Sequence, residues 1–237
     1  MVIRCVWEHN EDDTLLYAVD YIGAYTRGPN REIAIGKMRD EIISYLDWIG
    51  ESLKPESEIT VEIVQEKTSE LNIADADTDV LFDSEAAPLS EEEYKRQKLL
   101  VLKSAIDFHA LYLSVPDKDV SCLPHRKTFY AQVPRTANEM YEHTKNVNSY
   151  YFGEIGVAAD NDGMIYECRK RGFELLEQLD DFLSRPVVAG SYGELWSLRK
   201  VLRRFIWHDR IHAKAMYRMA TKTFDGCAIL NPFKFRI

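Results

Sequence analysis

The spacing of apolar residues divides the chain into two kinds of segment. Ile3 to Glu8 alternates weakly and is rich in β-formers, and Leu15 to Ile22 (LLYAVDYI) is a second strand candidate, with Asn10 to Asp13 a turn between them. Gly23 to Asn30 (GAYTRGPN) reads as a loop or short strand. From Arg31 to Ile49 the period changes to that of a helix, with Ile35, Met38, Ile42, Tyr45/Leu46 and Ile49 on one stripe. A turn at Pro55 follows. Ile59, Val61 and Ile63 then alternate with Thr60, Glu62 and Val64 as a last strand. The predicted order is β-β-(β)-α-β, a small α+β domain.

Beyond residue 90 the pattern is helical. A first helix is expected over Glu91–Ser114, with Leu99, Leu102, Ile106, His109 and Leu113 on its inward stripe. A second runs over about Val133–Ile155 with Thr136, Met140, His143, Val147 and Tyr150/Tyr151, and a third over Gly163–Ser184 with Phe173, Leu176, Leu179 and Leu183. A fourth, over Tyr192–Ala220, carries Leu195, Leu198, Val201/Leu202, Phe205, His208, His212, Ala215 and Met219. Four long amphipathic helices predict a four-helix bundle. The long connection from Val115 to Gln132 is of a length that often lies near a functional site.

Between the two regions, Thr68 to Val80 is acidic and poorly periodic. Asp83 to Ser90 ends in a helix N-cap signal, Ser90 before Glu91-Glu92-Glu93. The expected organisation is an α+β domain over 1–70, an acidic linker over 71–89 and an all-α bundle over 90–237. Charge supports the division. The net −9 of the 237 residues conceals −13 in residues 1–89 and +4 in residues 90–237. The acidic first part opposes nucleic-acid binding. No apolar run reaches the ~18 residues of a membrane helix. The N-terminus lacks the pattern of a secretory signal, and Cys5, Cys122, Cys168 and Cys227 form no CxxC pair, so reduced thiols in a cytoplasm are expected.

The chemistry concentrates in Trp207-His-Asp-Arg-Ile-His-Ala213. His208 and His212, four residues apart on a helix, project from one face. They continue the stripe of Leu198, Leu202 and Phe205, so both imidazoles should point inward, where unsatisfied polar groups are costly. One metal ion would satisfy both, and His143 on the inward stripe of the second helix is a candidate third ligand. The alternative is a chance HxxxH pair on a solvated helix face. The HExxH metalloprotease pattern is absent. Other residues carry two readings each. His109 is a fourth ligand or a hydrogen-bonded core histidine, and His125 lines a site mouth or is a solvated loop residue. Cys168 approaches the metal or simply packs. Asp209 lies beside a ligand in sequence, in a second-sphere role at most, and Glu139 orients His143 or is an exposed carboxylate. The basic run Arg199 to Arg204 receives an anion or the acidic first domain, or is a solvated face. Trp196 and Trp207 are expected in the core.

Thr136-Ala-Asn-Glu-Met-Tyr-Glu-His-Thr144, followed by Tyr150-Tyr-Phe152, together with Trp196 through His212, resembles the DinB family over about residues 90–225. That resemblance implies a four-helix bundle holding one divalent metal, nickel or zinc, through three histidines. Matched position by position these are His143, His208 and His212. It further implies metal-dependent chemistry on a small molecule, such as thiol-dependent S-transfer or isomerisation with a low-molecular-weight thiol. The alternative is a non-enzymatic metal-binding or interaction protein. A bundle with a spare apolar edge also fits a homodimer. In the first domain, Leu16-Tyr-Ala-Val-Asp-Tyr-Ile-Gly-Ala24 and Thr26-Arg-Gly-Pro-Asn-Arg-Glu-Ile-Ala34, leading into a helix, resemble the small fold of HicB-like antitoxins. The DNA-binding module of that family has no counterpart here, which points to an interaction or substrate-capping module, the alternative being a purely structural appendage.

Overall fold

A computed structural model of the chain describes residues 1–10, 13–53, 58–128 and 132–236. The expected turn at Pro55 lies outside these residues, as do Glu11 and Asp12 of the first turn, whose ends are joined by the Asn10 N–H donating to the Asp13 carbonyl at 3.1 Å. The chain forms two compact units, residues 1–86 with 233–237, and residues 87–232.

The first unit is a mixed sheet with one helix. Strands β1 (Val2–His9), β2 (Thr14–Ala18) and β3 (Tyr25–Gly28) pair antiparallel in sequence order, and β4 (Thr60–Thr68) adds parallel to β1, giving β3-β2-β1-β4. A parallel neighbour requires a crossover, and helix α1 (Arg31–Ile49) lies within it. Asn30 caps α1 by accepting from the Ile33 N–H, and Gly50 ends it in the left-handed conformation at φ 80°. The helix buries Ala34, Met38, Ile42, Tyr45, Leu46 and Trp48, the predicted stripe displaced by one position at each end, Ala34 for Ile35 and Trp48 for Ile49.

The acidic stretch over 71–89 is not a free linker. Residues up to Ala86 belong to the first unit because their sparse apolar side chains are sunk in it. Ile73, Val80 and Phe82 are buried, Phe82 lies 5.6 Å from Tyr17, and Thr78 donates to the carboxyl of Glu8. Every residue of β2 is accordingly buried. The C-terminal segment, expected with the bundle, also belongs here. Phe233 sits 5.3 Å from Trp48, its carbonyl accepts from Ser44 Oγ at 3.3 Å, and Arg236 pairs with Asp47 at 3.2 Å.

The second unit contains α2 (Glu91–Ser114), α3 (Ala137–Glu154), α4 (Ile165–Leu176) and α5 (Leu198–Thr223). Helix α5 packs on α2 and α3, and α4 packs on the same two. Capping boxes at Ser90 with Glu93 and Thr136 with Glu139 start α2 and α3. Three helices differ from expectation. The start of α3 is moved from Val133 to Ala137 by the Thr136 cap. Helix α4 ends at Leu176 rather than Ser184, before Asp181 takes a left-handed conformation at φ 52° and a short 3-10 turn covers Phe182–Ser184. Helix α5 begins at Leu198, where the Ser197 side chain accepts from the Lys200 N–H. Residues preceding that cap form a two-stranded ribbon of β5 (Val188–Ala189) and β6 (Leu195–Trp196) instead of helix.

The core centres on Phe152, Phe173 and Phe205, with rings 5.2 Å apart for Phe152–Phe173 and for Phe152–Phe205. Gly172 makes this contact possible, since a β-carbon there would lie 2.2 Å from the Phe152 ring. The inward face of α2 is not the expected one. Tyr94, Val101, Ala105, Phe108 and Leu111 are buried, whereas Leu99, Ile106 and Leu113 face outward. Both sets have helical spacing, so periodicity alone could not choose between them.

Candidate metal centre

Helices α3 and α5 bring three histidines together. His208 and His212 stand one turn apart on α5, and His143 comes from α3. Ring centroids are 4.5 Å apart for His208–His212, 4.7 Å for His143–His212 and 5.1 Å for His143–His208. One nitrogen from each lies within 4.8 Å of the others. Ligand nitrogens around a single ion at roughly 2.0–2.1 Å would be about 3–3.5 Å apart, so small side-chain rotations suffice to close the triad.

The three differ in depth. His208 is buried, His212 is partly exposed, and His143 stands at the solvent-facing rim. Desolvation pulls all three pKa values down. For His208, well below the ordinary value, the charges of His212, His143, Arg204 and Arg169 add to desolvation. His212 falls to about 3, by desolvation and then by His143, and His143 falls by desolvation. The set is therefore neutral near pH 7, the form that binds a metal. His208 Nδ1 is buried without a hydrogen-bond partner among the described residues. Among the described residues no carboxylate joins the group. A bound divalent cation would relieve that crowding, and the donor set fits one.

Residues around the triad have separate duties. Tyr151 packs edge-on to His208 at 6.1 Å. Arg204, one turn before His208 on the same helix face, holds its guanidinium 4.9 Å from the Trp207 ring, 5.4 Å from Tyr151 and 5.7 Å from Trp196. Asp209 does not support a ligand. It is fully buried and bound by Arg169 of α4 through two bonds of 2.5 and 3.1 Å, and Ser104 of α2 also donates to it. Its position, four residues after Phe205, puts it on the apolar stripe itself. Arg169 sits likewise among Ile165, Cys168, Gly172, Phe173 and Leu176, the buried face of α4. An arginine on one apolar stripe and an aspartate on another are the sequence signal for this pair.

The remaining candidates fall outside the group. His109 Nδ1 bonds the Tyr141 hydroxyl at 2.9 Å. His125 meets Gln132 at 3.3 Å on the surface. Cys168 is buried with its thiol directed to the Ile165 carbonyl at 3.3 Å, and burial raises its pKa. Glu139 accepts from the Arg135 and Thr136 N–H groups as the cap of α3. Trp196 and Trp207 are buried. The basic run is not a solvated face either. Arg199 bonds Glu93 and the carbonyls of Ala87 and Pro88, and buried Lys200 bonds Glu194 at 2.8 Å and the Leu195 carbonyl at 2.7 Å.

No protein-family model, curated protein or solved structure matches this chain. Among the described residues no helix is long and apolar enough to cross a membrane.

Proposed function

We propose that this chain is a divalent-metal-dependent enzyme of the DinB-like class, with one nickel or zinc ion held by His143, His208 and His212. The observation that carries the reading is the convergence of three histidines from two helices, with ligand nitrogens within 4.8 Å of one another and His208 Nδ1 buried without a partner among the described residues. Three protein ligands leave coordination positions for a substrate, the arrangement of a reactive rather than a closed structural site. When bound, the ion supplies Lewis acidity that stabilises the thiolate of a low-molecular-weight thiol, or hydroxide from water, near neutral pH. The resemblance to the DinB family points to thiol-dependent S-transfer or isomerisation of a small molecule as the reaction.

The chain's own side chains set the rest. His208 and His212 are fixed by the rigidity of α5, and His143 at the rim completes the set from the side open to solvent. Tyr151, Trp196 and Trp207 pack around Arg204, whose charge acts on His208. The −13 charge of the first part opposes nucleic-acid binding and suits an interaction module.

Elemental analysis of protein purified without a histidine tag tests the assignment. About one nickel or zinc per chain is expected, lost in His208→Ala and kept in His125→Ala. Absence of metal together with no uptake on titration would sink it. Metal-loaded protein should also accelerate consumption of a small thiol by a model electrophile, in a manner that His212→Ala abolishes.

A further inference from the structure

The two edges of the four-stranded sheet are finished differently. β3 has four residues, its Arg27 carbonyl accepts from Lys37 Nζ at 2.8 Å, and its Thr26 hydroxyl donates to the Ala34 carbonyl of α1. β4 has nine residues, is the longest strand of the sheet and contains no buried residue. Its inner side is spent on β1. The Thr60 N–H donates to the Met1 carbonyl and the Ser69 N–H to the His9 carbonyl, and a bulge at Val64 separates these two ends of the ladder. Successive residues of a strand turn their backbone groups to opposite sides. Thr60 and Glu62 therefore face β1 before the bulge, and Gln65, Lys67 and Ser69 face it afterwards. Val61, Ile63, Glu66 and Thr68 turn their N–H and C=O outward, and among the described residues no backbone group bonds them there.

The segment that follows β4 is held by side chains. Gln65 Nε2 donates to the Leu81 carbonyl at 3.0 Å, Gln65 Oε1 accepts from the Asp83 N–H at 2.8 Å, and Lys67 pairs with Asp79. Among the described residues that segment makes no backbone bond to β4. A long open edge is a template for another strand, and charge decides which strands it admits. Glu58, Glu62, Glu66 and Glu70 are exposed along β4 and its ends. The nearby cations are engaged, Arg4 by Asp20 at 2.5 Å and Lys67 by Asp79. Residues 1–89 as a whole carry −13. A second copy of the chain brings the same negative charge and is repelled, whereas a strand rich in lysine or arginine is attracted.

We propose that the outer edge of β4 is a docking site for an extended basic segment of a partner protein, which adds to the sheet as a fifth strand. Main-chain bonds to Val61, Ile63, Glu66 and Thr68 supply the affinity. Lysine or arginine side chains beside Glu62 and Glu66 supply the selection. Glu66, its side chain 56% exposed, holds His9 at 3.1 Å in the free chain, a surface pair readily exchanged. Val64, 45% exposed at the bulge, offers an apolar contact between the two carboxylates. The proposal deepens the reading of the first part as an interaction module and is independent of the metal centre.

Fluorescence anisotropy of the full chain with a labelled, end-capped peptide of alternating lysine and valine, about eight residues long, tests this. Saturable binding is expected, with a Kd below about 100 μM at physiological salt. Two further peptides of the same charge separate strand addition from mere attraction. One, methylated on the nitrogens of a single edge, keeps its other edge free and should bind. The other, methylated along both edges, should bind about tenfold more weakly or worse. Glu62→Lys combined with Glu66→Lys should weaken the parent peptide to a similar degree. That variant should keep the wild-type circular dichroism spectrum and zinc uptake, so failure of the peptide arms leaves the metal assignment standing. Amide exchange at Val61, Ile63, Glu66 and Thr68 should slow when the peptide binds. Equal binding of the fully methylated peptide overturns the proposal, as does no binding at about 1 mM peptide. Protection of other amides instead also overturns it, while leaving the first part an interaction module. So does protection of these four amides that rises with protein concentration alone, the mark of a second copy on the edge.

Discussion

His208 and Asp209 are consecutive residues of α5, both buried, and they belong to polar clusters of opposite kind. Asp209 is closed by two bonds from Arg169 and one from Ser104. Charge balances there and both Asp209 oxygens are bonded, although Arg169 Nε is buried without a partner among the described residues, and the pair ties α5 to α4 and α2. His208 faces two more imidazoles, all three with lowered pKa, and keeps a nitrogen without a partner among the described residues. Core polar groups that need nothing further are structural, whereas groups that crowd together incompletely satisfied invite a ligand. The comparison separates two neighbouring residues that sequence distance cannot.

The largest expected effect breaks the closed cluster. Asp209→Ala leaves the Arg169 guanidinium buried without its counter-charge, a loss of about 3–5 kcal/mol. Urea unfolding should show a folded population greatly reduced or absent. Replacing both members, as in Arg169→Met with Asp209→Leu, should recover much of that loss, since apolar groups of similar volume tolerate the site. If Asp209→Ala melts within a degree of the wild type, the pair is not what holds these helices.

The open cluster should answer differently. His208→Ala and His212→Ala should cost the apo-protein little, because each removes a poorly satisfied group. They should abolish the stabilisation that nickel or zinc gives the wild type, about 2.7 kcal/mol at a free ion concentration a hundredfold above Kd. Thermal melts with and without added metal measure the difference. A metal-induced rise in Tm that persists in both variants would dissolve the contrast between the clusters.

Acid sharpens it further. The triad's folded pKa values are depressed, so protonation occurs first in the unfolded chain, near the ordinary value of about 6.5. Their contribution is complete above that pH and is lost as pH falls from about 6.5 toward the His212 value of about 3. Apo wild type should therefore lose Tm faster than His212→Ala over this range. Carboxylates common to both proteins cancel in the comparison, and parallel curves would contradict the assignment.

Much of this was legible in the sequence. Helix α2 was placed to the residue because Ser90 before three glutamates reads as an N-cap, and α1 because its apolar stripe runs over Arg31–Ile49, between what the structure shows to be the Asn30 and Gly50 caps. The three histidines were singled out by their i, i+4 spacing and by His143 on a facing stripe, and they converge. Three features were hidden for definite reasons. The outward stripe of α2 has the same period as the inward one. The acidic run 71–86 holds few apolar residues, and their burial against the sheet depends on tertiary contacts that no local period records. Helix α5 starts late because the Ser197 cap sets its boundary while the apolar pattern continues upstream through Leu195.

Glu8 of β1, in the first unit, shares features with both clusters and gives the smallest expected effect. It is fully buried, Tyr17 and Thr78 both donate to its Oε2, and Oε1 has no partner among the described residues. Burial raises its pKa, against the opposing hydrogen bond from Thr78 and the charge of Lys67. A raised carboxyl pKa favours the folded state below the unfolded value of about 4.3, and the advantage is lost as pH climbs through the folded value. At pH 7 the site thus bears a cost for a buried acid that glutamine would not. Glu8→Gln keeps an oxygen for Tyr17 and Thr78 and should raise Tm by about 1–3 °C at pH 7, a gain that shrinks toward pH 4. A variant that is less stable at pH 7 would mean the carboxylate is held as firmly as Asp209, and Glu8 would belong with the closed cluster.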